Sequence, residues 1–220
     1  MTPTERLLAG TKELWAKYLE HPFVQGIADG TLAHEKFQYY MIQDYLYLID
    51  YAKVFALGAV KARDLEAMQL FAGYVGRIFN GEMDIHKTYM KRLGISLSDV
   101  EQTKIALDNR SYTAYMLSVA FNEGPAEIVA SILSCAVSYE YIARNLLKQH
   151  PDADRHPFYG EWVSGYASEG YHEANLKLIA LMDRLAKDYT EEQLLHLEEI
   201  FYECSRYEMA FWDMAWEMKT

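Results

Sequence analysis

The stretch Pro125-Ala-Glu-Ile-Val-Ala-Ser-Ile-Leu-Ser-Cys-Ala-Val-Ser-Tyr139 decides the fold class. Its apolar residues recur at three- and four-residue spacing, which predicts an α-helix with a buried face. Pro125 fits the first turn of this helix, because the amide proton that proline lacks would have no partner there. The other four prolines, at positions 3, 22, 151 and 157, also fall at breaks or first turns. Since no stretch has the alternation and hairpin signals of a strand, we predict an all-α protein.

Capping residues and breaks divide the chain into seven or eight helices. Asp64 can cap a helix that Gly94 ends, and Thr190 with Gln193 forms a capping box that opens the last helix. The first three predicted helices cover residues 4–20, 33–63 and 64–93, and three more begin at Ser98, Ser111 and Pro125. A loop is predicted at 150–157. Two further helices follow this loop, and the last of them ends near Trp216. Residues 21–30 are predicted to be a loop. Because no repeat or linker divides the chain, we expect residues 1–220 to form one helical domain.

The composition limits the classes of function. At 220 residues, of which 51 % are hydrophobic, the chain can bury the core of one large domain. A net charge of −11 argues against a nucleic-acid partner, since phosphate binding needs clustered lysine and arginine. The N-terminus lacks the pattern of a secretory signal, and the apolar runs are too short for a membrane span. We therefore expect a soluble cytoplasmic protein with no membrane partner and two free thiols.

Cys135 is the residue best placed to form a bond with a substrate, because it lies one helical turn before Tyr139. A single buried cysteine is more often a small apolar side chain of the core. Other groups in the chain favour the functional interpretation, since they are the kinds of side chain that gather around a polar heteroaromatic ring.

One of these groups lies in the predicted helix 33–63. Asp44, Tyr47 and Tyr51 are spaced i, i+3 and i+7, so they share a helix face with Tyr40. A pocket on this face would let Asp44 accept hydrogen bonds from amino or ring N–H groups, while the tyrosines supply ring faces and hydroxyls. The alternative is a buried Asp-Tyr network that only specifies helix packing.

Glu208 lies on the aromatic side of the last helix, one turn after Cys204 and one turn before Trp212. Burial among aromatic rings raises the pKa of a glutamate, so Glu208 is a candidate general acid. The alternative is an ion pair with Arg206 or another nearby cation.

Two Glu/His pairs suggest a competing chemistry. Glu82 with His86 and Glu169 with His172 could each present metal ligands on one helix face, as di-iron proteins do. Such pairs also arise by chance in a chain with 32 acidic residues and seven histidines. The remaining histidines are interpreted as surface residues, with a haem ligand among them as the other possibility.

Taken in order, these residues resemble the TenA family, the thiaminase II or aminopyrimidine aminohydrolases, within the haem-oxygenase-like helical fold. Each motif alone is weak, but their order and spacing over nearly the whole chain are specific. The motifs are His21-Pro-Phe-Val-Gln-Gly-Ile-Ala-Asp-Gly-Thr-Leu32, Tyr39-Tyr-Met-Ile-Gln-Asp44 with Tyr51-Ala-Lys53, Glu82 with His86, Ser134-Cys135 with Tyr139, His156-Pro157, and Tyr207-Glu208 with Phe211-Trp212.

The resemblance implies roles for seven residues. Asp44, Cys135 and Glu208 match the catalytic aspartate, cysteine and glutamate of the family. The tyrosines that match the lining of a pyrimidine pocket are Tyr47, Tyr112, Tyr139 and Tyr166, with Tyr171 as the alternative to Tyr166. The resemblance also implies a homotetramer and places the chain in the cysteine-bearing branch of the family.

The expected activity is hydrolysis of a 4-amino-2-methylpyrimidine that carries a leaving group on its 5-methylene. An aminomethyl pyrimidine is the first candidate substrate and thiamin the second. The Cys135 thiolate adds to the ring, Glu208 protonates a ring nitrogen, and Asp44 holds the amino side. The product is hydroxymethyl pyrimidine, and the scheme needs no organic cofactor or metal. The alternatives are a di-iron or haem-dependent oxygenase of the same fold and a non-catalytic pyrimidine-binding or regulatory protein.

Overall fold

The computed structural model describes residues 1–219, apart from the side chain of Asp99. Within this range all regular secondary structure is helical and there is no strand, so the prediction of an all-α protein is confirmed. The α-helices are α1 (Pro3–Glu20), α2 (Pro22–Asp29), α3 (His34–Lys61), α4 (Leu65–Arg77), α5 (Met83–Arg92), α6 (Leu97–Gln102), α7 (Leu107–Asn122), α8 (Pro125–Gln149), α9 (Gly160–Ala167), α10 (Glu169–Leu185) and α11 (Glu191–Glu217). A π-helical turn, Ile78–Glu82, joins α4 to α5, and a 3₁₀ turn, Ala153–Arg155, precedes α9.

Local capping signals begin several helices as predicted. The Asp64 carboxylate accepts a hydrogen bond from the backbone N–H of Ala67 and so caps α4. Thr190 and Gln193 form the predicted capping box at the start of α11. Pro125 occupies the first turn of α8, also as predicted.

The prediction of a loop at residues 21–30 is wrong, because residues 22–29 form the short helix α2. Nδ1 of His21 caps it by accepting from the N–H of Phe23 at 3.1 Å, and Pro22 takes the first helical position. Gly30 ends it with a φ of 77°, which is a left-handed conformation that favours glycine. Pro22 therefore begins a helix here instead of marking only a break.

Three other boundaries differ from the predictions. The helix expected over 64–93 is interrupted by the π-helical turn, and Ser111 lies one turn inside α7, which begins at Leu107. Three α-helices, not two, follow residue 157. As a result the described chain has eleven α-helices instead of seven or eight.

The helix α8 is the centre of the core and packs against α3, α7, α10 and α11. Ile128, Ile132, Leu133 and Leu146 are fully buried along it. Among the described helices α8 alone is long and apolar enough to cross a membrane, but 78 % of its apolar 18-residue segment is buried inside the fold. Its apolar character is thus explained by its central position.

Candidate active site

A cavity lies between α3, α4, the π-helical turn, α8, α9 and α10. It encloses about 560 Å³ of space between atoms, including its open mouth. Five of the seven predicted site residues line it, namely Asp44, Tyr47, Cys135, Tyr139 and Tyr166. The shared face of α3 and the four-residue step from Cys135 to Tyr139 on α8 bring these residues together.

The Asp44 carboxylate is held by a partner that its own helix does not supply. Nε2 of His86, from α5, lies 2.5 Å from Oδ2 of Asp44, and Nδ1 of the same ring lies 2.8 Å from the backbone oxygen of Glu82. The backbone oxygen of Glu82 accepts from the N–H at Nδ1, and the Asp44 carboxylate accepts from a second N–H at Nε2 when the His86 ring is protonated. Burial opposes this charge, but the hydrogen bond and the charge of Asp44 outweigh burial and raise the pKa of His86.

The Cys135 thiol reaches the cavity, whereas Cys204 is fully buried and does not line it. Burial raises the pKa of Cys135 well above its usual value, and the nearby Glu208 acts in the same direction. The nearby Tyr47 hydroxyl acts the other way and lowers the pKa of Cys135. The hydroxyl of Tyr139 accepts a hydrogen bond from the hydroxyl of Tyr40 at 3.3 Å.

Glu208 and Tyr112, the other two predicted site residues, do not line the open cavity. Oε1 of Glu208 accepts a hydrogen bond from the Tyr112 hydroxyl at 2.8 Å, and its carboxyl also contacts the Cys135 thiol. Only 2 % of Glu208 is exposed, and burial raises its pKa to about 8. The alternative ion pair with Arg206 is wrong, because Arg206 pairs with Glu203 at 3.0 Å.

Several aromatic rings line the cavity. The rings of Tyr139 and Tyr166 lie 4.8 Å apart, and Tyr171 meets Tyr166 edge-on at 5.1 Å. Tyr47 stacks on Tyr51 at 5.3 Å. Tyr166 and Tyr171 both line the cavity, so their positions do not favour one of the two residues over the other.

The two Glu/His pairs have separate partners and do not converge on a common point. His86 is engaged at both nitrogens, as described above. Nδ1 of His172 lies 2.6 Å from the Glu140 carboxylate, while Glu169 is largely exposed and lies 3.9 Å from Arg144. Within residues 1–219, no group of three or more His, Cys, Asp and Glu side chains is placed to hold a metal ion.

Several cavity residues were not predicted from the sequence. Tyr74 and Arg77 come from α4, Glu82 ends the π-helical turn, and Asn175 comes from α10. The π-helical turn breaks the 3.6-residue period that relates Arg77 to Glu82, so periodicity could not place them on one face. Asn175 donates to the backbone oxygen of Ala136 at 3.0 Å, which fixes α10 against α8.

Fold and site together define the class of protein: an all-helical bundle that encloses a tyrosine-lined pocket with a thiol on its wall. The profile of the TENA/THI-4/PQQC family matches residues 8–218. The chain belongs to this family, which confirms the resemblance found in the sequence.

Comparisons with individual proteins agree with this membership. The chain is 42 % identical over 217 residues to the aminopyrimidine aminohydrolase of Helicobacter pylori, covering 99 % of this chain and 100 % of the relative. The structure of a TenA homologue from P. horikoshii OT3 superposes with a TM-score of 0.89 at 29 % identity, over 99 % of each chain. A domain with a haem-oxygenase-like fold from Shewanella denitrificans OS217 superposes with a TM-score of 0.77 at 15 % identity, over 98 % of this chain and 92 % of that one. The last match concerns the fold alone and confirms the predicted haem-oxygenase-like architecture.

Proposed function

We propose that the chain is an aminopyrimidine aminohydrolase that releases the group attached to the 5-methylene of a 4-amino-2-methylpyrimidine. The observation that carries the proposal is the placement of Cys135 on the wall of a tyrosine-lined cavity that Asp44 also lines, with the buried Glu208 in contact with the thiol. The Helicobacter pylori relative, which this chain matches end to end, carries the name of this activity. The activity belongs to thiamin metabolism, and we assign this chain to thiamin salvage or degradation.

Recognition of the ring follows from the shape and polarity of the cavity. A flat heteroaromatic ring packs against tyrosine faces such as those of Tyr139 and Tyr166. Oδ2 of Asp44 is occupied by His86, whereas Oδ1 has no partner among the described residues. Oδ1 therefore accepts from the amino group of the pyrimidine.

Covalent catalysis begins with addition of the Cys135 sulfur to the ring carbon next to the substituted one. Burial disfavours a free thiolate here and also keeps Glu208 protonated at neutral pH. An overall neutral addition suits such a site. The Glu208 carboxyl, which lies behind the cavity wall in contact with the Cys135 thiol, takes the proton of the thiol and gives its own proton to a ring nitrogen of the bound pyrimidine. Tyr112 orients this carboxyl through the hydrogen bond to Oε1.

The adduct then expels the leaving group. The electron pair of the breaking C–N bond goes to nitrogen, and the ring supplies the pair that forms an exocyclic methylene. Water adds to the methylene, the bond to sulfur breaks, and hydroxymethyl pyrimidine remains. Every step uses side chains of this chain and water.

The test is a product assay on purified protein with the aminomethyl pyrimidine and with thiamin. Release of ammonia or thiazole together with hydroxymethyl pyrimidine supports the proposal. Tight binding of the pyrimidine without turnover would support the non-catalytic alternative. Turnover that consumes oxygen and yields a different product would support an oxygenase.

We also propose that the chain forms one domain and assembles as a cytoplasmic homotetramer. Large apolar side chains are exposed near one end of the bundle, where Lys61 of α3 donates to the backbone oxygens of Phe121 and Glu123. Val60, Leu65 and Phe121 are each at least 65 % exposed there. An apolar patch of this kind favours an interface between copies. Light scattering coupled to size exclusion tests the assembly, and a monomer at micromolar concentration would refute it.

A further inference from the structure

Glu82 lies where the cavity meets an open groove on the protein surface. It ends the π-helical turn and lines the same cavity as Asp44 and Cys135. It also lines an open groove on the protein surface between α4 and the start of α10, together with Arg77 and Tyr171. The Glu82 carboxyl therefore stands where the candidate active site meets the solvent.

The two carboxylates of the cavity differ in their partners. Asp44 is paired with His86, whereas the Glu82 carboxylate has neither a hydrogen bond nor an ion pair within residues 1–219. Burial raises the pKa of Glu82 to about 7, while the charges of His86 and Arg77 act in the opposite direction. Burying a carboxylate that has no partner costs free energy, and a cationic ligand with N–H donors would reduce that cost.

Arg77 does not fill that role in this structure. Its guanidinium lies over the ring of Tyr74, 5.6 Å from the ring centroid, and Nη2 lies 3.5 Å from the backbone oxygen of Gly170. It remains beyond ion-pair distance of Glu82, so the carboxylate is open toward the cavity.

We propose that Glu82 binds the leaving group, accepting hydrogen bonds from the ammonium of an aminomethyl substrate and so selecting a primary amine over a thiazolium. The inference rests on the proposed function and specifies its substrate class. It makes Glu82 a specificity-determining residue at the end of the cavity that faces the groove.

The chemistry of the two leaving groups explains the selection. A primary alkyl amine is protonated at neutral pH and presents three N–H donors, whereas the ring nitrogen of a thiazolium carries no hydrogen. A carboxylate that keeps the amine protonated also prepares it to leave, because the ammonium takes the C–N electron pair and departs as neutral ammonia. The thiazolium cannot donate a hydrogen bond to the Glu82 carboxylate. It gains only the electrostatic attraction that any cation would have for this carboxylate.

The experiment compares Glu82→Gln with Asp84→Asn, which removes a solvent-exposed carboxylate two residues away. For Glu82→Gln, kcat/KM for the aminomethyl pyrimidine should fall roughly ten- to hundredfold, the effect of losing hydrogen bonds to a charged group. The value for thiamin should fall much less, and the affinity for hydroxymethyl pyrimidine, which has no ammonium, should stay unchanged. Asp84→Asn should behave as the wild type.

Equal losses for both substrates, or no loss for either, would overturn the assignment of Glu82. A wild-type protein that turns over neither substrate would instead refute the proposed function. If Glu82→Gln does not fold, the affinities of the aminomethyl and hydroxymethyl pyrimidines are compared on Cys135→Ser protein with Glu82 intact. The ammonium-bearing pyrimidine should then bind at least about tenfold more tightly, and equal affinities would overturn the proposal.

Discussion

The imidazole of His86 donates to the Asp44 carboxylate at 2.5 Å, and both side chains are almost completely buried. The second ring nitrogen donates to the backbone oxygen of Glu82, so the pair links α3 to the start of α5. The hydrogen bond from His86 fixes the orientation of the Asp44 carboxylate. A residue that the sequence offers as a metal ligand thus positions the proposed ring-binding group.

Replacing His86 tests this relationship. His86→Ala leaves the Asp44 charge buried without its partner, which should cost about 3–5 kcal/mol of unfolding free energy. The folded-state pKa of His86 is raised above 6.5, so the stabilisation is fully present below pH 6.5 and is lost as the pH rises through the folded-state value. Urea unfolding at several pH values measures the effect.

The control is His196→Ala, which removes an exposed histidine paired with Glu123. Exposed pairs contribute little, so this variant should cost less than about 1 kcal/mol. If the two variants cost the same, the buried pair does not stabilise the fold as described.

Asp44→Ala should weaken binding of hydroxymethyl pyrimidine by roughly 1.5–3 kcal/mol, the range for losing hydrogen bonds to a charged group. Asp50→Ala is the matched control, because Asp50 lies on the same helix and pairs with the exposed Lys53. Calorimetry on both variants gives the comparison. Equal affinities of Asp44→Ala and the wild type would remove Asp44 from the ring-binding role.

The helices that the sequence predicts well are those with local signals. The period of α8 and the capping box of α11 involve neighbours along the chain and require no knowledge of tertiary packing. The π-helical turn at Ile78–Glu82 has no comparable signal, so the helix predicted over 64–93 runs straight through it. Pro22 shows a related ambiguity, since proline suits a break and a first helical turn equally well.

The contrast between local sequence signals and tertiary packing also applies to the candidate active site. Asp44 and Tyr47 share a face of α3, and this relationship follows from spacing alone. The partner of Asp44 is 42 residues away in the chain. Spacing along the helix indicates only that His86 and Glu82 could share a face as a pair of metal ligands. The burial of Glu208 behind Cys135 likewise depends on how α11 packs against α8, which sequence periodicity does not determine.

The two cysteines provide a direct test of the nucleophile. Cys135→Ser should abolish turnover and leave a folded protein that still binds hydroxymethyl pyrimidine, because a hydroxyl is far harder to ionise than a thiol. Cys204→Ser should remain substantially active, since Cys204 does not line the cavity. The measurements are ammonia release from the aminomethyl pyrimidine and far-UV circular dichroism. Normal turnover by Cys135→Ser, or loss of activity only in Cys204→Ser, would place the first step of the mechanism elsewhere.

Glu208→Gln should lower kcat by roughly 10²-fold or more, the usual scale for a positioned acid or base. Glutamine keeps the shape and can still accept from Tyr112, but it cannot donate the proton to the ring. Binding of hydroxymethyl pyrimidine should weaken far less than kcat. Glu203→Gln on the same helix, where the carboxylate pairs with the exposed Arg206, is the control and should leave kcat unchanged.

Glu208→Gln should also increase the unfolding free energy relative to the wild type as the pH rises toward 8. The pKa of Glu208 rises from 4.5 to about 8 on folding, so the folded protein holds this proton more tightly than the unfolded chain. Wild-type stability therefore falls as the pH rises from about 4.5 to about 8, by on the order of 3 kcal/mol from this group. Glu208→Gln has no such proton to lose, so its stability relative to the wild type should increase across that window. Urea unfolding of both proteins at pH 5 and pH 8 measures the difference, and a constant difference would mean that Glu208 is ionised in the folded protein.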